Sequence, residues 1–336
     1  MLHAARQDVK PARLLLAHRS ALTTRYTQSP HVAAAVVRRG GVVAFPTETV
    51  YGLGADAFNP AAVRAIFDAK GRPSDNPLIV HVAAASHVEA LARAVPPAAR
   101  ALLDAFAPGP LTVILPKQAT VPDVVTAGLD TVGVRIPRHP VALAFLEACQ
   151  TPVAAPSANR SGRPSPTTWQ AVAEDLDGRI PCILQGDRTD AGLESTVVDC
   201  TQTPPAVLRP GAISVEALRS ALPGVDVVPP SDATAARSPG TRHRHYAPRA
   251  RVHLVEAPSA ALPASDAAYI GMEAPSSSDA FTRVYIAPNV EAYAHALFHF
   301  FRTCDAAGCR HLYAQTVPNT GIGRALNDRL RRAALR

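Results

Sequence analysis

Lysine is almost missing from this chain. Lys10, Lys70 and Lys117 are its only lysines, and 31 of its 34 cationic residues are arginines. A chain that so rarely uses an ammonium keeps one where a compact point charge is needed, and Lys70 is the lysine that stands among other polar motifs. Cysteine is also sparse. Five cysteines are scattered (Cys149, Cys182, Cys200, Cys304, Cys309), with no C-x-x-C. That excludes a disulfide framework and a zinc finger, and it predicts buried free thiols in a reducing, cytoplasmic setting. Aromatic residues are 5% of the chain, too few for a surface built on stacked bases. No apolar run approaches the roughly 18–20 residues of a membrane span, so no membrane role is expected. Leu14–Leu16 is too short for the core of a signal peptide.

Several catalytic signatures are absent too. There is no G-x-x-x-x-G-K-[ST], which disfavours a P-loop enzyme, and no G-x-S-x-G or H-E-x-x-H. Gly52-x-Gly54-x-x-Ala57 formally matches a loosened dinucleotide fingerprint. However, Pro46–Thr49 separates it from the strand that should lead into it.

What is present is a globular composition. Hydrophobic residues are 47% and charged residues 18% of 336 residues, with a net charge of +7. Two domains follow from a prior of roughly 100–200 residues each. The positive charge admits an anionic ligand or a nucleic acid. Apolar runs at 41–45, 78–82, 111–115, 132–136, 153–155, 196–199 and 206–208 read as strands. Helical patterns start at Asn59-Pro60, cover 88–103 with a break at Pro96-Pro97, and recur at 141–149 and 168–176. The order predicts an α/β fold. Residues 1–27 read as an N-terminal extension and 28–228 as the main domain. Residues 229–250, rich in Pro, Ser and charge, read as a linker long enough to cross that domain. Residues 251–336 read as a small second α/β domain, with strands at 251–255, 268–271, 284–286 and 311–316 and helices at 290–307 and 322–334.

Four clusters carry candidate chemistry. Pro46–Gly54 (PTETVYGLG) sets Thr47, Glu48 and Thr49 behind a strand, with glycines that suit either a turn or a close backbone approach. Lys70–Val82 (KGRPSDNPLIVHV) sets Lys70 and Arg72 at a helix end, before a strand that carries His81. A fork of donors beside a point charge suits a polyphosphate, although cations at a helix C-terminus also complement its dipole. Arg135 lies inside the apolar strand of Thr131–Pro137 and needs a partner or an anion. Ala154–Arg163 (AAPSANRSGR) is a small-residue loop after a strand, where α/β sheets bind ligands. Glu194-Ser195-Thr196 and Leu208–Gly211 (LRPG) make the fourth cluster.

Together, PTETVYGLG, KGRPSDNPLIVHV, PGPLTVIL, VRIP, APSAN, ESTVVD and RPGAIS stand in an order that resembles the threonylcarbamoyl-AMP synthases in their long, two-domain form. The resemblance covers about residues 28–248, including SPGTRHRHYAP at 238–248, and extends more weakly to the end. It implies a twisted, open mixed sheet with a basic concave ligand-binding face, a small Rossmann-like second domain, and a linker that covers the site. It implies formation of L-threonylcarbamoyl-adenylate and pyrophosphate from L-threonine, bicarbonate and ATP. It also implies Mg²⁺ accompanying the ATP, and a product handed to a tRNA threonylcarbamoyl-transferase complex, with weak tRNA or double-stranded RNA contact. By motif, Thr49, His81, Arg135, Ser195 and the Ala155 backbone should surround threonine, with Thr47 as a neighbour. Arg72, Asn76, Thr131, Ser157, Ser165, Arg209 and Tyr246 should contact ATP, and Lys70 and Arg72 should act on its phosphates. No metal-ligating set is expected. The rival reading is a basic sheet that binds double-stranded RNA or tRNA without catalysis.

Overall fold

The computed structural model describes residues 22–230 and 245–335. Most of the expected extension and of the expected linker (residues 1–21 and 231–244) lies outside the described residues.

The first sheet contains β1 Arg25–Thr27, β2 Val43–Phe45, β3 Gly52–Asp56, β4 Ile79–His81, β5 Leu111–Pro116, β6 Thr131–Arg135, β7 Val153–Ala155, β8 Cys182–Leu184, β9 Thr196–Asp199 and β10 Ala206–Arg209. Their order is β1-β8-β2-β3-β7-β4-β6-β5-β9-β10, with parallel and antiparallel neighbours mixed. The helices are α1 Pro30–Arg38, α2 Pro60–Lys70, α3 Pro97–Phe106, α4 Asp123–Thr126, α5 Pro140–Cys149, α6 Trp169–Leu176 and α7 Val215–Ala221. Asn59 caps α2: its side chain accepts from the amides of Ala61 and Ala62, and Pro60 follows where a missing N–H costs nothing.

Side-chain alternation along the strands divides the sheet into two faces. Ala44, Leu53, Val80, Val113, Val132, Val134 and Val198 point to one large core under α2, α3, α6 and α7. Val43, Phe45, Val153, Ala155, Cys182 and Leu184 point the other way, against α1 and α5. Those two helices cover only the β1-to-β7 half of that second face. Over β4, β6, β5 and β9 the same face carries His81, Arg135, Thr112 and the approach to Ser195 instead of a helix.

The sequence reading and the structure differ in two places here, and the structure decides between two alternatives in a third. Arg25–Thr27, read as part of the extension, pairs in parallel with β8 and forms the sheet edge. The stretch read as one interrupted helix is a 3₁₀ segment, Ala85–Ala90, followed by α3. The glycines of PTETVYGLG mark a close approach inside β3 and no turn. A Cβ on Gly54 would stand 2.5 Å from Val153 Cγ1 and 2.8 Å from the Phe45 ring.

The second sheet is entirely parallel, in the order β11 Arg251–Val255, β14 His311–Gln315, β12 Ala267–Gly271 and β13 Arg283–Ile286. It packs with α8 Val290–Ala306 and α9 Gly323–Ala334. Its core of Phe298, Phe301, Leu297, Leu312 and Leu326 runs without a break onto Val50, Leu193 and Tyr246 from outside the sheet. Ion pairs add to this docking. Arg302 of α8 meets Asp175 of α6 at 2.8 Å, and Arg324 of α9 meets Glu216 of α7 at 3.4 Å. All five cysteines are free and buried. Burial raises every one of their thiols, Cys149 and Cys200 to about 12. No helix among the described residues is long and apolar enough to cross a membrane.

Candidate active site

Arg135 anchors the open part of the sheet. It ends β6, and its strand partner across β4 is His81, so the two side chains rise from the same face. Arg135 is 4% exposed, so it must be satisfied. Its Nη2 lies 2.8 Å from Glu48 Oε1, Nη1 donates to Thr49 Oγ1 at 2.8 Å, and Nε donates to Gly109 O at 3.4 Å. The Thr47 and Thr49 hydroxyls are 2.8 Å apart, and Thr47 Oγ1 also donates to the Val50 carbonyl. Thus the polar run that follows β2 wraps around one guanidinium. Burial, and then the charge of Arg135, push His81 down to about 3. Its imidazole is neutral at physiological pH.

Arg209 anchors the other side. It ends β10 and turns back onto Ser195, with Nη2 donating to the Ser195 carbonyl at 2.9 Å and to its hydroxyl at 3.1 Å. Ser195 Oγ also lies 2.8 Å from Thr112 Oγ1. This closeness depends on Gly211, because a Cβ there would stand 2.4 Å from the Ser195 carbonyl carbon.

Arg72 comes from below. Gly71 ends α2 with φ +60, a left-handed cap that suits glycine. Arg72 Nη2 then donates to the carbonyls of Asn76 and Pro77 at 3.3 and 3.4 Å. Burial lowers Arg72 to about 10, so it stays charged at neutral pH.

These three guanidinium groups line one pocket. Thr49, His81, Ala155, Ser157, Ser195, Glu194, His245 and Tyr246 complete its wall. Tyr246, from the described end of the expected linker, is 4% exposed, and the Ala247 amide donates to Gly162 O at 2.9 Å. Tyr246 has φ 65, unusual for a residue with a side chain. Its ring stacks on Phe298 at 5.3 Å. One wall of the pocket is therefore made by a residue that belongs to the second unit's core.

Four expected residues stand outside the lining. Lys70 is buried under it, and its Nζ donates to the carbonyls of Ser157 and Asn159. The ammonium therefore holds the APSAN loop and does not point into the cavity. Asn76 is buried and gives its carbonyl to Arg72. Ser165 donates to Glu194 Oε1 at 2.6 Å, behind the wall. Thr131 shares the face of Arg135 but starts β6, some 13 Å away at about 3.3 Å per residue. It faces a separate hollow with Ile114, Asp199 and Leu208.

Three charged residues were given no role in the sequence reading. Glu48 pairs with Arg135. Glu194 reaches the wall and pairs at 2.7 Å with Arg329 of α9, a fully buried arginine. Arg329 had a visible signal: it interrupts the apolar stripe Leu326, Leu330, Ala333 of its helix, as Arg135 interrupts its strand.

Three arginines around one pocket at strand ends, with hydroxyls interleaved and no nucleophile-base pair among the described residues, define a two-unit α/β protein with a site suited to an anionic ligand. The family models narrow that class. One described as telomere recombination matches residues 35–211, and one described as threonylcarbamoyl-AMP synthase, C-terminal domain, matches residues 213–335. The chain is 44% identical over 316 residues to the threonylcarbamoyl-AMP synthase of Pyrococcus abyssi, covering 90% of this chain and 93% of that protein. It is 42% identical over 325 residues to that of Bacillus subtilis, covering 92% and 94%. The crystal structure of P. abyssi Sua5 complexed with L-threonine superposes with a TM-score of 0.82 at 39% identity, over 93% of this chain and 97% of that one. The chain belongs to the threonylcarbamoyl-AMP synthase family, and it is an enzyme of the nucleotidyltransferase type.

Proposed function

We propose that the cavity joins L-threonine, bicarbonate and ATP into L-threonylcarbamoyl-adenylate and pyrophosphate, the first step of threonylcarbamoyladenosine formation in tRNA. The observation that carries this reading is the three-arginine cavity, which has amino-acid-sized hydroxyl anchors on one side and an aromatic cover on the other. The neutral threonine amine attacks the carbon of CO₂ derived from bicarbonate, forming an N–C bond and releasing a proton to water. A carbamate oxygen then attacks the α-phosphorus, and the bond to the departing pyrophosphate breaks. The enzyme supplies no nucleophile, so its contribution is positioning and charge.

In this reading Arg135, held by Glu48 and Thr49, receives the threonine carboxylate. Ser195, the Ala155 backbone and neutral His81 enclose the rest of the amino acid. Arg72, Arg209, Ser157 and Tyr246 face the nucleotide. Asn76 acts through Arg72, Ser165 through Glu194, and Lys70 through the Ser157 loop. Thr131 meets only a ligand long enough to leave the cavity along β6. The covering Tyr246 keeps water from a carbamate that decomposes readily in it.

Mg²⁺ enters as the chelate of ATP. Among the described residues no group of three or more His, Cys, Asp or Glu could hold a metal ion, and both oxygens of Glu194 are engaged. The donor set therefore fits an ion carried by the substrate's phosphates. The adenylate passes to a tRNA-modifying transferase, and the buried free thiols suit a reducing cytoplasm.

The test is pyrophosphate release with each substrate omitted in turn. Release that requires both threonine and bicarbonate supports the reaction. Equal release with valine overturns a site built around Thr49 and Ser195, because a site that bonds a hydroxyl strongly rejects the analogue lacking it.

A further inference from the structure

One buried guanidinium from the second unit touches three separate segments of the cavity wall. Arg329 Nε donates to Glu194 Oε2 at 2.7 Å, one residue before Ser195. Its Nη2 donates to the Pro210 carbonyl at 3.1 Å, one residue after Arg209. Its guanidinium carbon stands 5.2 Å from the centroid of the Tyr246 ring. The remaining Nη1 is held by Asp328 at 2.5 Å. Arg329 itself is absent from the cavity lining.

The energetics argue against a purely stabilising role. A fully buried ion pair repays its desolvation only about evenly, and a well-packed apolar residue in the Leu326, Leu330, Ala333 stripe would serve the helix as well. What an apolar residue cannot do is fix Glu194, Pro210 and Tyr246 relative to one another. A guanidinium does so because its fork has fixed geometry and its face accepts an aromatic ring.

We infer that Arg329 is a positioning residue for the nucleotide side of the cavity, acting through Glu194, Pro210 and Tyr246. The second unit is thereby a working part of the site. This inference rests on the proposed reaction. Threonine, anchored by Arg135 and Thr49 on the far side, is expected to depend little on Arg329. Ser195 keeps its bond to Thr112 whatever happens at α9.

The experiment uses the full chain and four variants: Arg329→Lys, Arg329→Met, Glu194→Gln, and the double Arg329→Met/Glu194→Gln. Apparent KM for ATP and for threonine, kcat per folded molecule and the unfolding midpoint are measured for each. Arg329→Lys keeps a charge but loses the fork, and its KM for ATP should rise about tenfold, a difference of about 1.4 kcal/mol. Its KM for threonine should change less than about twofold. Arg329→Met leaves Glu194 buried without its cation and should lower the unfolding midpoint. The double variant removes both charges and should recover the midpoint while keeping the raised KM for ATP. Stability rescued without affinity rescued is the result that supports positioning. A double variant that recovers both, or an Arg329→Lys enzyme with wild-type KM for ATP, overturns it. A wild-type chain that releases no pyrophosphate with threonine and bicarbonate overturns the reaction and this inference together. An active wild type with unaffected variants overturns the inference alone.

Discussion

At the scale of single residues, the site was legible wherever a charge interrupts an apolar pattern. Arg135 lies between valine and isoleucine in a strand, and the cost of burying it unpaired makes it a marker. Arg72 and Arg209 were reached through the company they keep. Lys70 was read as a phosphate ligand because of its neighbours, yet it spends its protons on loop carbonyls. A sequence shows that a cation is near a loop but not which way its stem turns. The arginines carry the first expectation. Arg72→Ala should cost at least about 2 kcal/mol of transition-state stabilisation, roughly thirtyfold in kcat/KM, as charge-assisted bonds generally do. The unfolding midpoint should move less than the ~1–2 °C that 1 kcal/mol gives at this size. Steady-state kinetics beside a thermal melt decide it.

His81 gives a second expectation, on pH. Its folded-state value of about 3 lies below the ordinary 6.5 of an exposed imidazole. Between those values the unfolded chain binds a proton that the folded chain refuses, so stability falls as pH drops from about 6.5 towards 3. Above that window His81 contributes no slope. His81→Gln should reduce the pH dependence of unfolding between pH 6 and 4 by up to about 1.4 kcal/mol per unit. An identical slope in chemical denaturation would show that His81 titrates freely.

At the scale of elements, strands rich in β-branched residues were read nearly to their ends: β7 and β9 match to the residue, and β4 to β6 needed only a residue or two of adjustment. Those that escaped had a physical reason to. β3 begins Gly-Leu-Gly, which suits a turn as well as a close approach until the Phe45 ring that lies against it is known. β1 and β8 are segments of three residues, too short to show a period. Of the loop between β8 and β9 only Glu194 and Ser195 were legible, yet the whole loop joins the two units. Gly192 within it has φ +70, and a Cβ there would stand 2.5 Å from the His295 Cα of α8. Gly192→Ala combines a strained backbone, worth about 1–3 kcal/mol, with a clash against main chain. Because Glu194 and Ser195 follow within three residues, the variant should both melt earlier and bind its substrates more weakly. Calorimetric titration on the folded fraction separates the two effects, and unchanged affinity would detach this loop from the site.

At the scale of the whole molecule, the arrangement of two α/β units was visible in composition and order. Their contact was not, because partners such as Arg302 and Asp175 lie more than a hundred residues apart and neither belongs to a motif. The net charge of +7 is also a whole-molecule property, and it separates catalysis from the rival reading of an RNA-binding sheet. Association with RNA through phosphates weakens steeply with salt, by orders of magnitude between about 50 and 200 mM when several contacts are made. Threonine-dependent pyrophosphate release depends on small-molecule contacts within one pocket and should vary severalfold at most over that range. Activity that falls in parallel with RNA retention would favour the rival.

The buried thiols give the molecule an internal clock. Cys149, Cys182 and Cys200 lie in the first unit and Cys304 and Cys309 in the second, all shielded and all poor thiolates. A thiol reagent can reach them only when the surrounding structure opens, so each labelling rate reports an opening event. Peptide mass spectrometry then times the two halves separately within one sample. Because Leu193 and Tyr246 are shared by the second unit's core, the two groups should acquire label together. Earlier labelling of Cys304 and Cys309 would mean that the second unit lifts away while the large sheet stays folded.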